Sequence, residues 1–185
     1  MLLIGAGGHA RLIAEILDAS GDRITAYVDP APCSWLDVPH IVSDDNARED
    51  RPGEAVLGIG GGDVDALSRR LAIMQAYEAA GWTVRNVIHP SAVCSPSAVI
   101  ERGVLVMAGA VIQPGVVLDA GAIVNTGSIV EHDATVGAGA HIAPNATVLG
   151  GARIGACAMI EAGAVVLPGA SVAAKQMVPA QGRHG

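Results

Sequence analysis

A histidine flanked by two acids, Glu131-His132-Asp133, is the run in this chain best suited to acid–base chemistry. A carboxylate beside an imidazole fixes its tautomer and raises its basicity, so that the ring can take a proton from an attacking nucleophile. Close by in sequence lie His141 and the polar pair Asn125-Thr126. At the other end of the chain, Gly5-Ala6-Gly7-Gly8-His9-Ala10 follows an apolar run and precedes an amphipathic one. That spacing lets backbone N–H groups approach a diphosphate at a helix N-terminus. Asp29 ends the next apolar run, where a ribose hydroxyl would be read. The plain alternatives are a tight ligand-free turn for the glycine segment and solvated polar corners for His141 and Asn125.

The elements that must hold these groups fall into two halves with different periods. From Ile88 onward the period is six: position one of sixteen successive hexads, from Ile88 to Val178, is aliphatic in all but Cys94. Four residues later comes a small residue or Val, as in Ala92, Ala110 and Ala146, and between them a corner position is usually glycine, with Asp133 and Asn145 as substitutes. These types tolerate positive φ. A short strand and a corner every six residues, with one aliphatic and one small side chain inward, close a three-sided coil. Stacked coils pair in parallel and bury one continuous aliphatic core. Sixteen hexads make just over five coils, and no insertion interrupts the register. A helix would need a period of 3.6 and would carry each glycine at a cost of about 1 kcal/mol. His132 therefore stands out at a position that is mostly Pro, Ala or Gly, and His141 where Val, Leu, Ile or Thr are usual.

Residues 1–86 alternate apolar runs with amphipathic stretches, which predicts a small parallel sheet with helices, Rossmann-like in kind. Strands are expected at Met1 to Ile4, Ile24 to Val28 and Ala55 to Ile59, and helices at His9 to Asp18 and Asp63 to Ala80. Asp29 to Asp50, rich in Pro and Asp, reads as mostly loop. Fewer than ninety residues precede the solenoid, too few for a full double nucleotide fold, so an NAD site is disfavoured.

Composition excludes several classes. The chain is 51% hydrophobic but only 2% aromatic and lacks Phe, so its core is built from Val, Ile, Leu and Ala, which suits a narrow interior. Apolar stretches are broken every few residues, and none reaches the ~20 needed to span a bilayer. The start lacks the basic region and long apolar run of a signal peptide, which predicts a cytoplasmic protein. A net charge of −7 without a basic cluster makes nucleic acid a poor partner. Cys33, Cys94 and Cys157 are odd in number and far apart, as free thiols are, and no metal is expected.

The hexads carrying Asn125-Thr126-Gly127-Ser128-Ile129-Val130-Glu131-His132-Asp133, preceded by Ile4-Gly5-Ala6-Gly7-Gly8-His9-Ala10, resemble the bacterial sugar O/N-acetyltransferases. That family includes sialic-acid O-acetyltransferases and N-acetyltransferases of nucleotide-linked 4-amino sugars. The resemblance implies an N-terminal nucleotide-sugar domain over residues 1–86 and a left-handed parallel β-helix over 87–185. It also implies a homotrimer with acetyl-CoA in grooves between subunits. His132 matches the general base and Asp133 the carboxylate that orients it. Asn125, His141, Gly150 and Ala162 match positions around acetyl-CoA, the Gly150 N–H serving an oxyanion. Gly5, Gly7, Gly8, His9 and Asp29 match the sugar-nucleotide site. The resemblance ends at Val178-Pro179-Ala180-Gln181-Gly182-Arg183-His184-Gly185, where members continue through another coil, so part of the CoA groove is expected to be absent. Two other readings remain: a non-catalytic scaffold or nucleotide-sugar sensor, and a zinc carbonic anhydrase, for which only His89, His132 and His141 are on offer and their spacing argues against convergence.

Overall fold

The computed structural model describes residues 1–49 and 52–185. The first half is a five-stranded parallel sheet: β1 (Leu2–Ile4), β2 (Ala26–Val28), β3 (His40–Ile41), β4 (Glu54–Leu57) and β5 (Thr83–Val84), in the order β3-β2-β1-β4-β5. Among the described residues three helices connect them: α1 (Gly8–Ala19), α2 (Asp44–Glu49) and α3 (Val64–Ala79). The Asp63 carboxylate caps α3 by accepting the Ala66 N–H at 2.6 Å. No helix among the described residues is long and apolar enough to cross a membrane.

The segment from Asp29 onward is more ordered than its composition suggests, since it contains β3 and α2; Asp50 lies outside the described residues. The reason is a tertiary contact. The Tyr27 and His40 rings stack with centroids 4.8 Å apart, and His40 Nε2 bonds the Asp29 carbonyl at 2.8 Å, which holds His40 in register beside Tyr27.

From Val87–Ile88 to Arg183–His184, two-residue strands recur every six residues and stack into three parallel faces of six, five and six strands. Partners are always eighteen residues apart, as in Val93↔Val111 and Val111↔Ile129. This is the left-handed β-helix of hexapeptide repeats, slightly more than five coils tall. Its interior is a column of fully buried Val, Ile, Leu and Ala, such as Val130, Ala134, Ile142 and Ala146. Five non-glycine residues hold the left-handed corner conformation: Asp133, Asn145, Cys157, Lys175 and Gln181. The last three extend the set of substitutes beyond the two expected.

The sheet half packs on one face of the solenoid. That face presents Val87, Leu105, Ile123, His141 and Met159 outward, and all are buried beneath α1, α3 and the β1 and β4 ends. The other two faces carry exposed valines, Val93 at 62% and Val99 at 49%.

Candidate active site

The third residue of each hexad makes no backbone hydrogen bond within the coil stack as a donor, although the Thr126 and Ala180 amides find side-chain acceptors in Asn125 and Glu161. The second, fourth, fifth and sixth residues of a hexad donate within the coil stack, as Asn125, Gly127, Ser128 and Ile129 do. The third position tolerates Pro90, Pro96, Pro114, Pro144 and Pro168, which have no N–H to lose. His132 and Gly150 occupy that third position in successive coils of the same corner, the one joining the two uncovered faces.

At this corner the backbone of Asp133 is left-handed, with φ of 59°. That turn brings Asp133 Oδ2 within 3.0 Å of His132 Nδ1, so Nδ1–H donates to the carboxylate and Nε2 is left as the free basic nitrogen. The Asp133 bond, joined by the charges of Asp133 and Glu131, raises the imidazole above its ordinary pKa. The ring lies against the coil above. A Cβ placed on Gly150 would sit 2.7 Å from His132 Nε2, and one placed on Gly115, in the coil below, 2.5 Å from Asp133 Oδ1. Glycine on both sides thus makes room for the pair. The Gly150 N–H has no partner among the described residues, which suits an oxyanion donor. In the isolated chain both side chains are open, 64% for His132 and 73% for Asp133.

The other expected acetyl-CoA residues lie elsewhere. Asn125 and the exposed Ala162 sit on the corner preceding that of His132, two coils apart along the stack. His141 is on the covered face and only 7% exposed. Its Nδ1–H donates to the Gly61 carbonyl at 3.1 Å, and its Nε2 accepts from Asn125 Nδ2 at 3.0 Å. Burial foremost, with the Arg70 charge adding, lowers its pKa to about 4.

Around the glycine turn the roles divide. Gly5 is required by the fold: its φ is 89°, and a Cβ there would meet Ile59 at 2.7 Å. Gly7 and Gly8 have nothing within 4 Å of an added Cβ and begin α1 with exposed backbone, leaving space for a ligand at a helix N-terminus. Asp29 accepts the Ala6 N–H at 2.9 Å and the Ala31 N–H at 3.0 Å, clamping the ends of β1 and β2. A cleft of about 570 Å³ opens where the strand order reverses between β1 and β4, lined by Gly5, Asp29, Asp44, Arg48 and Ile59 among others. His9 turns the opposite way, into the seam between the halves. There burial, with Arg70 and His141 adding, lowers its pKa to about 4.

Arg70 was not visible as a special residue in sequence. It is fully buried, its Nε–H donating to the Ile59 carbonyl at 2.8 Å and Nη1 to the Gly121 carbonyl, so it ties the end of β4 to the solenoid. The available signal was its spacing with Leu67, Met74 and Tyr77 on the buried stripe of α3. Gly61 was likewise passed over within the tract Gly58-Ile59-Gly60-Gly61-Gly62. The three cysteines are free. Among the described residues no group of three His, Cys, Asp or Glu side chains is placed to hold a metal.

Family comparisons bear directly on this arrangement. The PglD N-terminal domain matches residues 1–66, and the bacterial transferase hexapeptide (six repeats) matches residues 133–168. A perosamine N-acetyltransferase from Caulobacter crescentus, solved with CoA and GDP-perosamine, is 34% identical over all of this chain and 87% of its own, with a TM-score of 0.90. This chain belongs to the hexapeptide-repeat sugar acetyltransferases. The acetyltransferase domain of PglB from Neisseria gonorrhoeae FA1090 is a further member, 33% identical over all of this chain and 90% of its own, with a TM-score of 0.86. The same domain in complex with acetyl coenzyme A is 30% identical, covers 98% of this chain and 96% of its own, and has a TM-score of 0.76. No curated protein matches the chain. Membership in the sugar acetyltransferases makes the chain an acyltransferase that draws on acetyl-CoA.

Proposed function

We propose that this acetyltransferase moves the acetyl group of acetyl-CoA to the amino group of a nucleotide-linked amino sugar, with His132 as general base. The observation that carries this reading is the His132–Asp133 pair at 3.0 Å, its free Nε2 lying against Gly150 of the next coil. Amine transfer is favoured over hydroxyl transfer because the Caulobacter relative is an N-acetyltransferase crystallised with GDP-perosamine.

The amine nitrogen attacks the thioester carbonyl carbon while His132 Nε2 takes its proton. Charge gathers on the carbonyl oxygen, where the Gly150 N–H donates to it. The C–S bond then breaks, and the CoA thiolate leaves with the proton that the imidazolium returns. No acyl-enzyme is needed. Asn125, held by His141, and Ala162 serve the acetyl-CoA side, and Gly7, Gly8 and Asp29 the nucleotide side; Gly5 shapes that turn, and His9, turned into the seam, stands apart from it. On this reading residues 1–86 hold the nucleotide and residues 87–185 perform the transfer.

That Asn125 and Ala162 stand one corner away from His132 supports a site completed between protomers of a homotrimer, packed through the faces the sheet half leaves open. Dependence on acetyl-CoA supports a cytoplasmic location. The test is thiol release from acetyl-CoA across a panel of nucleotide-linked amino sugars. His132→Ala should lower kcat by ~10²- to 10⁴-fold with acetyl-CoA binding retained. Wild-type kcat in that variant would remove His132 as base.

A further inference from the structure

Between α1 and the solenoid runs a groove of about 330 Å³ that the mechanism above does not use. One wall is Leu12, Glu15 and Ile16 of α1; the other is His89, Met107 and Thr126. Its position is informative at both ends. Leu12 lies four residues past Gly8, about 6 Å along the helix at 1.5 Å per residue. Thr126 adjoins Asn125, on the corner assigned to the acetyl group. A sugar whose diphosphate rests on the Gly7 and Gly8 amides would therefore extend along this groove.

The lining chemistry fits a pyranose ring. Leu12 is 45% exposed, and with Ile16 and Met107 it gives an apolar floor for a face of C–H bonds. The rim is polar, with Glu15, His89 and Thr126. His89 has a defined tautomer. Its Nδ1 accepts the Ser91 N–H at 3.0 Å and lies 2.8 Å from Ser91 Oγ, which is itself the acceptor of the Gly109 N–H at 3.1 Å. The ring proton is therefore on Nε2, the nitrogen these bonds leave free to donate.

We infer that this groove receives the sugar ring of the acceptor, with the His89 Nε2–H donating to a ring hydroxyl or to the glycosidic phosphate. The inference rests on the acetyltransferase reading and adds a residue that selects the sugar without taking part in proton transfer. Its test uses the full chain with GDP-perosamine and a UDP-linked 4-amino sugar, with GDP and UDP as controls. In wild type, the accepted nucleotide sugar should bind more tightly than its bare nucleotide. His89→Ala should shrink that difference and raise the KM for the nucleotide sugar about tenfold. Bare-nucleotide affinity and the KM for acetyl-CoA should stay within about twofold. Leu12→Trp, which fills the groove from an exposed helix position, should give the same selective loss. An unchanged sugar KM in both variants, or a raised acetyl-CoA KM in its place, overturns the inference while leaving the acetyltransferase reading intact. A wild-type protein that binds acetyl-CoA but neither nucleotide sugar overturns both.

Discussion

The His132 corner shows how little a solenoid must change to hold an imidazole–carboxylate pair. One carboxylate at a left-handed corner and glycines above and below suffice to hold an imidazole with one nitrogen bonded and the other free. Two predictions belong here. Asp133 raises the His132 pKa, so an acidic limb in kcat/KM is expected above the ordinary imidazole value. Asp133→Asn should shift that limb to lower pH, since the neutral amide no longer favours the protonated ring; a pH–rate profile of both proteins checks it. Gly150→Ala tests the packing. Gly150 lies outside the left-handed region, so alanine is permitted by the backbone, but its Cβ would crowd the His132 ring, 2.7 Å from Nε2. Turnover should fall at least tenfold while the unfolding free energy from urea titration stays within about 0.5 kcal/mol of wild type, because the open imidazole can swing aside. His132 and Asp133 were recognisable as departures from a repeat that supplies its own comparison, whereas Gly150 came from the family resemblance alone.

At the scale of elements, the seam between sheet and solenoid holds a buried cluster of His9, Arg70 and His141. Arg70 bonds carbonyls on both sides, and His141 links Gly61 to Asn125. Both imidazoles have folded pKa values of about 4, below the 6.5 of an exposed ring. Between these values the unfolded chain binds more protons than the folded one. Stability should therefore be flat above pH 6.5 and decline as pH falls toward 4, by at most about 3 kcal/mol for each imidazole. Urea titrations at pH 7.5 and 4.5 measure the decline, and the double variant His9→Gln, His141→Gln separates it from the titration of carboxylates. An equal decline in that variant would clear the seam of any part in acid sensitivity. The elements themselves were only partly legible. α1, α3 and every hexad followed from periodicity, whereas β3, β5 and α2 were not placed: β3 and β5 are two residues long, and β3 depends on the Tyr27–His40 stack rather than on propensity.

For the whole molecule, the sheet half covers one solenoid face, and the His132 corner joins the other two. If the trimer pairs the His132 of one protomer with the Asn125 of the next, two inactive variants should rescue each other. In an equal mixture of His132→Ala and Asn125→Ala chains, refolded together, mixed trimers make up about three-quarters of the population, and each holds one intact site in three. About a quarter of wild-type turnover should return. Recovery of none would place both groups in one protomer. The sequence by itself determined the solenoid, its length in coils and the departure at the His132 corner, because each coil pairs only with neighbours eighteen residues away and the pattern is therefore local and repeated. Only the tertiary structure decided the seam and the groove. Gly61 meets His141 across 80 residues and Arg70 meets Gly121 across 51, contacts between two different periods that no single repeat encodes.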